Sequence, residues 1–235
     1  IAQVVQMAHA VGALVFVDAV HYAPHAPIDV RALNCDFLAC SAYKFFGPHV
    51  GILYGKQEHL ARLRPYKVRP APEQGPSRWE SGTQNFEGLA GVIAAIDYLA
   101  DLGYLAVPAA ENRRAALLAA MGTVQAYERS LFEQLVPRLL QIPGLTFYGI
   151  TDPTRFDRRT PTAAIRLAGH PPDALAKALG DRGIFTWNGN FYALNLTERL
   201  GIEAQGGVVR IGLAHYNTLT EINRLLKALE EIVSL

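Results

Sequence analysis

Two charged side chains stand at the ends of short apolar runs, Asp18 in Val15-Phe16-Val17-Asp18 and Lys44 in Cys40-Ser41-Ala42-Tyr43-Lys44. A charge that closes a buried strand needs a partner, because an unpaired buried ion is costly or gives up its charge. Pyridoxal phosphate partners both groups, since its ring nitrogen pairs with a carboxylate and its aldehyde forms a Schiff base with a lysine. Lys44 lies between Tyr43 and Phe45, and desolvation favours the neutral, nucleophilic form of an amine. Each residue also has a plainer reading. Asp18 would serve equally as a turn or helix cap, and Lys44 as an edge-strand lysine reaching to water.

Further candidates lie around this pair. His21 follows Asp18 by three positions and suits a hydrogen bond to the phenolic oxygen of the cofactor. A metal site shared with His25 is not expected, because Pro24 and Pro27 oppose a helix that would present both rings. Ser41 suits a phosphate, as does Thr83 in Trp79-Glu80-Ser81-Gly82-Thr83-Gln84-Asn85, although Thr83 is as readily a helix cap. Arg210 stands inside the apolar run Val208-Val209-Arg210-Ile211. A guanidinium there calls for a fixed anion, either a substrate α-carboxylate held by both arms of the fork or a structural salt bridge.

The elements that must hold these residues read as two units. The first hundred residues alternate helix (1–11), strand (14–18, 36–41, 51–54) and helix (58–63, 89–102). Leu14–Asp18 is apolar enough to be covered on both faces in a mainly parallel sheet. Prolines make 64–76 a long loop. From Val107 a long helix reaches Leu140, followed by strands at 145–148, 163–167, 184–187 and 208–212. Helices at 173–179 and 220–232, the latter capped by Thr218 or Thr220, complete a small α+β domain.

Composition narrows the partners. Twenty-two basic against 21 acidic side chains give a net charge of +1, which supplies no field for nucleic acid or an anionic membrane. No apolar run approaches the roughly 20 residues of a membrane span. Cys35 and Cys40 form no CxxC motif and suit a reducing cytoplasm. The chain opens at Ile1 on what reads as the middle of a helix, so a preceding N-terminal segment is expected.

Four segments in this order resemble the class V, fold-type I pyridoxal-phosphate family of aminotransferases, cysteine desulfurases, selenocysteine lyases and epimerase-like enzymes. They are D-x-x-H at Asp18 and His21, S-x-x-K-x-x-G-P at Ser41, Lys44, Gly47 and Pro48, and E-x-G-T at Glu80, Gly82 and Thr83. The fourth is R-x-x-x-x-x-Y-N-T-x-x-E at Arg210, Tyr216, Asn217, Thr218 and Glu221. The resemblance implies the C-terminal part of a cofactor-binding large domain over 1–105 and a small domain over 106–235. It also implies a homodimer in which Lys44 carries the cofactor and moves the α-proton of an amino acid. Asp18, His21, Ser41, Tyr43 and Thr83 would bind the cofactor, and Arg210 the substrate carboxylate. Within the family, desulfurases carry a cysteine shortly before the anchoring arginine, whereas 188–206 has none here, and Tyr43 replaces their usual histidine. Transamination is therefore the first expectation. The alternatives are desulfurase- or lyase-like β-elimination, or epimerisation, without a persulfide, and a non-catalytic dimerisation fragment.

Overall fold

Short apolar runs punctuated by Gly, Pro and Asx residues set the elements of the chain, whose computed structural model describes residues 1–80 and 82–234. Two compact units result, Ile1–Thr123 and Val124–Leu235. The first contains α1 (Ala2–Ala10), β1 (Phe16–Asp18), α2 (Val30–Leu33), β2 (Phe37–Ser41), a 3-10 turn (Ala42–Phe45), β3 (Gly51–Gly55), α3 (Gln57–Arg62) and α4 (Phe86–Ala106). The long helix α5 (Arg113–Leu139) includes the division between the units.

In the first unit the strand order is β1-β2-β3, with β1 parallel and β3 antiparallel to β2. The register aligns Val17 with Leu38 and Leu38 with Tyr54, and this face packs with Val5, Cys35 and Leu33. The opposite face differs from expectation. Phe16 and Leu53 are each 58 % exposed, and Asp18, in the same row as Ala39 and Leu53, is exposed as well. The covered face is closed by Val5 of α1 and by Val30 and Leu33 of α2, whereas on the other face His59 of α3 meets Phe37, with ring centroids 5.6 Å apart, and leaves Phe16 and Leu53 exposed. Leu14 and Val15 lie before the strand rather than in it.

Helix α4 is four residues longer at its C-terminus and three at its N-terminus than the sequence pattern suggests. Its 21 residues, with a mean hydropathy of 1.5 in the most apolar window, are enough by length and composition to cross a membrane, contrary to the reading of the sequence. The helix nevertheless carries Glu87, Asp97 and Asp101, pairs Asp97 with Arg113, and buries Val92, Ala95, Leu99 and Gly103 within the unit. Val92 forms a small core with Ala42 and Phe45, so α4 supports the turn that bears Lys44.

The second unit is an antiparallel sheet of order β4-β5-β7-β6, made by β4 (Leu145–Tyr148), β5 (Thr162–Leu167), β6 (Trp187–Gly189) and β7 (Val208–Gly212). Helices α6 (Pro172–Gly180), α7 (Leu194–Arg199) and α8 (Leu219–Val233) accompany it. Alternate residues Ala163, Ile165 and Leu167 of β5 point into one core with Val209 and Ile211 of β7. Leu135 and Leu139 of α5 and the 3.6-period stripe Ile222, Leu225, Leu226, Leu229 and Ile232 of α8 close it. Thr218 is the cap of α8 and forms a full capping box with Glu221. The strand expected at 184–187 begins only at Trp187, because Ile184 N bonds back to Leu179 O and still belongs to the end of α6.

Candidate active site

The parallel pairing of β1 with β2 decides the geometry of the first unit. Asp18 closes β1 opposite Ala39, and Ser41 closes β2 two residues later, so both strands deliver their last residues to one carboxyl-end edge. Crevices at that edge are where open α/β sheets bind ligands. Asp18 Oδ1 accepts from Val20 N at 3.0 Å, which turns the chain sharply and brings His21 into the same loop. The rings of His21 and His25 lie 5.5 Å apart within that loop. Asp18 and His21 are both exposed, where the sequence suggested a buried acid, because Asp18 lies on the open sheet face and His21 in the turn that follows it.

Lys44 does not close a strand but sits in the 3-10 turn after β2. Two close approaches fold this turn. Ala42 N donates to Val50 O at 2.8 Å and Gly47 N to Ala42 O at 2.9 Å, while Phe46 adopts a left-handed φ of 71°. A residue with a Cβ at position 47 would meet Ala42 O at 3.1 Å, so glycine suits the site. Lys44 is half-buried, and its Nζ lies 4.9 Å from the centroid of the Tyr43 ring, which in turn stacks on His49 at 4.9 Å. Among the described residues Lys44 makes no salt bridge and no hydrogen bond; its ammonium meets only a ring. His49 was not singled out by the sequence, although its place after Gly47-Pro48 puts it beside the tyrosine. Thr83 is exposed in the segment before α4, and the cap of that helix is Asn85, whose side chain accepts from Gly88 N at 2.9 Å. Ser81, within the same motif, lies outside the described residues.

Arg210 belongs to the second unit. It sits on β7 between Ala164 of β5 and Trp187 of β6, half-buried, and burial pulls its guanidinium below the ordinary arginine value. No carboxylate pairs with it among the described residues. Its Cζ lies 4.3 Å from the centroid of the Phe191 ring. The rest of its motif is structural. Asn217 Oδ1 accepts from Ala214 N at 2.8 Å, Asn217 O accepts from Tyr127 Oη at 2.7 Å, and Thr218 and Glu221 make the α8 cap. Phe191 and Tyr192 both hold positive φ, at about 1–2 kcal/mol each for residues with side chains. The sequence marks this turn through the Gly189-Asn190 pair, and the family resemblance directs specificity to 187–192 by its position.

The donor set of the first unit fits pyridoxal phosphate. An amine with no ion-pair partner among the described residues can take the aldehyde, a carboxylate at the neighbouring strand end can face the ring nitrogen, and a serine, a tyrosine and an imidazole stand at the two strand ends or in the turns that follow them. Neither cysteine fits a persulfide role. Cys35 is fully buried and Cys40 half-buried, and burial pushes both thiols up.

Comparison with known proteins gives the family of the chain. The class-V aminotransferase family model matches residues 1–225. A probable cysteine desulfurase of Mycolicibacterium paratuberculosis is 31 % identical over 242 residues, covering 98 % of this chain and 32 % of the relative. A cysteine desulfurase of Yersinia pestis is 33 % identical over 248 residues, covering 100 % of this chain and 55 % of the relative. This chain therefore spans between a third and about half the length of these relatives. Among solved structures, the apo cysteine desulfurase of Thermococcus onnurineus superposes with a TM-score of 0.83 at 25 % identity, covering 99 % of this chain and 56 % of that one. The cysteine desulfurase CsdA of Escherichia coli superposes with a TM-score of 0.80 at 28 % identity, covering 99 % and 55 %. With its fold, its donor set and a family match over nearly its whole length, the chain belongs to the class-V aminotransferase family of fold-type I, pyridoxal-phosphate-dependent enzymes.

Proposed function

We propose that the protein cleaves the β-substituent from a cysteine-type amino acid by elimination, with pyridoxal phosphate as cofactor and without a persulfide on its own chain. This replaces transamination as the first reading, because the relatives just described carry the desulfurase name rather than an aminotransferase one. The observation that carries it is Lys44, an amine with no ion-pair partner among the described residues, on the turn that follows β2, the strand paired with the one that ends at Asp18.

When bound, the cofactor supplies an aldehyde for covalent attachment and a ring that accepts electron density from the α-carbon of the substrate. The chain's residues do the rest. Lys44 Nζ takes the α-proton as general base and delivers a proton to the departing sulfur as general acid. Asp18 holds the proton on the ring nitrogen. His21 would donate to the ring oxygen, and Ser41, Tyr43 and Thr83 would hold the phosphate. Arg210 takes the substrate carboxylate in its two-armed fork. The net change breaks the Cα–H, Cβ–S and Cα–N bonds of cysteine, forms a Cβ–H bond and, with water supplying the carbonyl oxygen, gives sulfide, pyruvate and ammonia. The absence of a cysteine between Asn188 and Gly206 supports release of free sulfide over transfer to the protein. The same reading takes the protein as a cytoplasmic homodimer, which sedimentation of the intact protein tests.

Product analysis separates the chemistries. Incubation with cysteine and pyridoxal phosphate should give sulfide and pyruvate in equal amounts. Alanine with persulfide would point to a desulfurase, and a 2-oxo acid with aminated cofactor to transamination. Lys44→Ala should lower turnover by about 10²-fold or more, and normal turnover in that variant would overturn the assignment.

A further inference from the structure

Phe191 and Tyr192 hold φ of 54° and 63° directly before α7. Such backbone is rare for aromatic residues and persists where the surroundings over-determine it. Asn190 does so here. Its Oδ1 accepts from Tyr192 N at 3.1 Å, its carbonyl accepts from Ala193 N at 2.8 Å, and its Nδ2 donates to Glu203 Oε1 at 2.9 Å. The other Glu203 oxygen accepts from Thr197 Oγ1, which is buried. The root of the loop is fixed too, because a Cβ at Gly207 would stand 2.3 Å from Gly189 O. This framework presents the Phe191 ring to the Arg210 guanidinium, 4.3 Å from Cζ to centroid.

We infer that Phe191 is a positioning residue for carboxylate binding: its ring covers one face of the Arg210 guanidinium and leaves the in-plane N–H groups to a ligand carboxylate. The inference rests on Arg210 being the carboxylate anchor proposed above. A ring face attracts a planar cation and holds it without consuming its hydrogen-bond donors. A salt bridge would occupy those donors. The stack also restricts a long side chain before the ligand arrives, so less rotamer freedom remains to be lost on binding. Asn190, Glu203 and Thr197 act through Phe191, by fixing the strained backbone that aims it.

The test is calorimetric titration of the intact, cofactor-loaded protein with propionate, a carboxylate that lacks the amine. Phe191→Leu should weaken propionate binding about tenfold, Phe191→Tyr should restore it to within about twofold, and Arg210→Gln should abolish it. With cysteine as substrate, Phe191→Leu should raise KM and leave kcat unchanged. Wild-type affinity in Phe191→Leu overturns the role of the ring while the Arg210 anchor stands. Wild-type affinity in Arg210→Gln overturns the anchor itself. A measurement on the unsubstituted protein needs no variant to fold. The Arg210 Nε–H proton should resonate upfield under the Phe191 ring current and move on addition of propionate, and its absence from that region overturns the inference.

Discussion

Asp18 ends a parallel strand on an open sheet face, with one carboxylate oxygen accepting from Val20 N and the side chain exposed. Its proposed task is to keep the cofactor ring nitrogen protonated, which requires a charge and not only a hydrogen-bonding shape. Asp18→Asn keeps the shape and removes the charge. Turnover should fall by about 10²-fold while the thermal midpoint stays unchanged, because no buried partner is lost. Steady-state rates and a melting curve on the same sample check both halves. Asp18 and Lys44 stand out in the sequence because a charge closing an apolar run is conspicuous against its neighbours. The conformation of Phe191 does not. Its place depends on two consecutive left-handed residues held by Asn190, and nothing in an aromatic side chain announces a positive φ. Asp18 was also read as buried, since apolar residues on both sides of a strand do not reveal which sheet face is covered.

Asp36 illustrates what the sequence concealed between elements. It looked like the ordinary first residue of a strand, yet it is 2 % exposed and joins four elements. Its carboxylate accepts from His9 Nε2 at the end of α1 (2.8 Å), Val15 N before β1 (2.7 Å), Lys56 Nζ (3.0 Å) and His59 Nε2 of α3 (2.9 Å). Burial pushes its pKa up, but these hydrogen bonds outweigh burial and hold the carboxyl well below its ordinary value. Since the folded value lies below the unfolded one, the stabilisation is complete above about pH 4 and is lost as the pH falls further. Asp36→Asn should cost about 3 kcal/mol at pH 7, and the penalty should shrink on acidification. Denaturant titrations at pH 7 and pH 3 read both effects, and an equal penalty at the two values would count against this account. A second junction, between α4 and α5, is limited by space rather than charge. A Cβ on Gly103 would stand 1.8 Å from Ala116 O. Gly103→Ala should therefore lower stability by about 1–3 kcal/mol through displaced backbone, despite the better helix propensity of alanine, and a thermal melt would show it.

At the scale of the molecule, the element order and both sheets were largely readable. Apolar periodicity reports which residues pack, and the antiparallel second unit closes a core of its own. The first unit is different, because among the described residues its sheet has three strands and β1 is an edge. Phe16 and Leu53 are each 58 % exposed on the face that carries Asp18. Unpaired strand edges and open apolar faces drive association unless charge opposes it. Charge opposes it weakly here, since the net charge is +1 at pH 7 and the sequence pI is about 8.0. The chain studied by itself should therefore associate most strongly near pH 8 and less as acidification makes it more positive. Leu53→Lys should reduce the association at pH 8, because it places a charge in the middle of the open face without removing a buried contact. Its effect on stability should stay within about 0.5 kcal/mol. Light scattering of the two proteins across pH 6 to 8, beside a melting curve, separates the possibilities. Equal masses for both proteins at every pH would mean that this sheet face does not mediate association. A lower mass for Leu53→Lys with an unchanged melt would locate the association on the same face that presents Asp18, so self-association and cofactor access would compete for one surface.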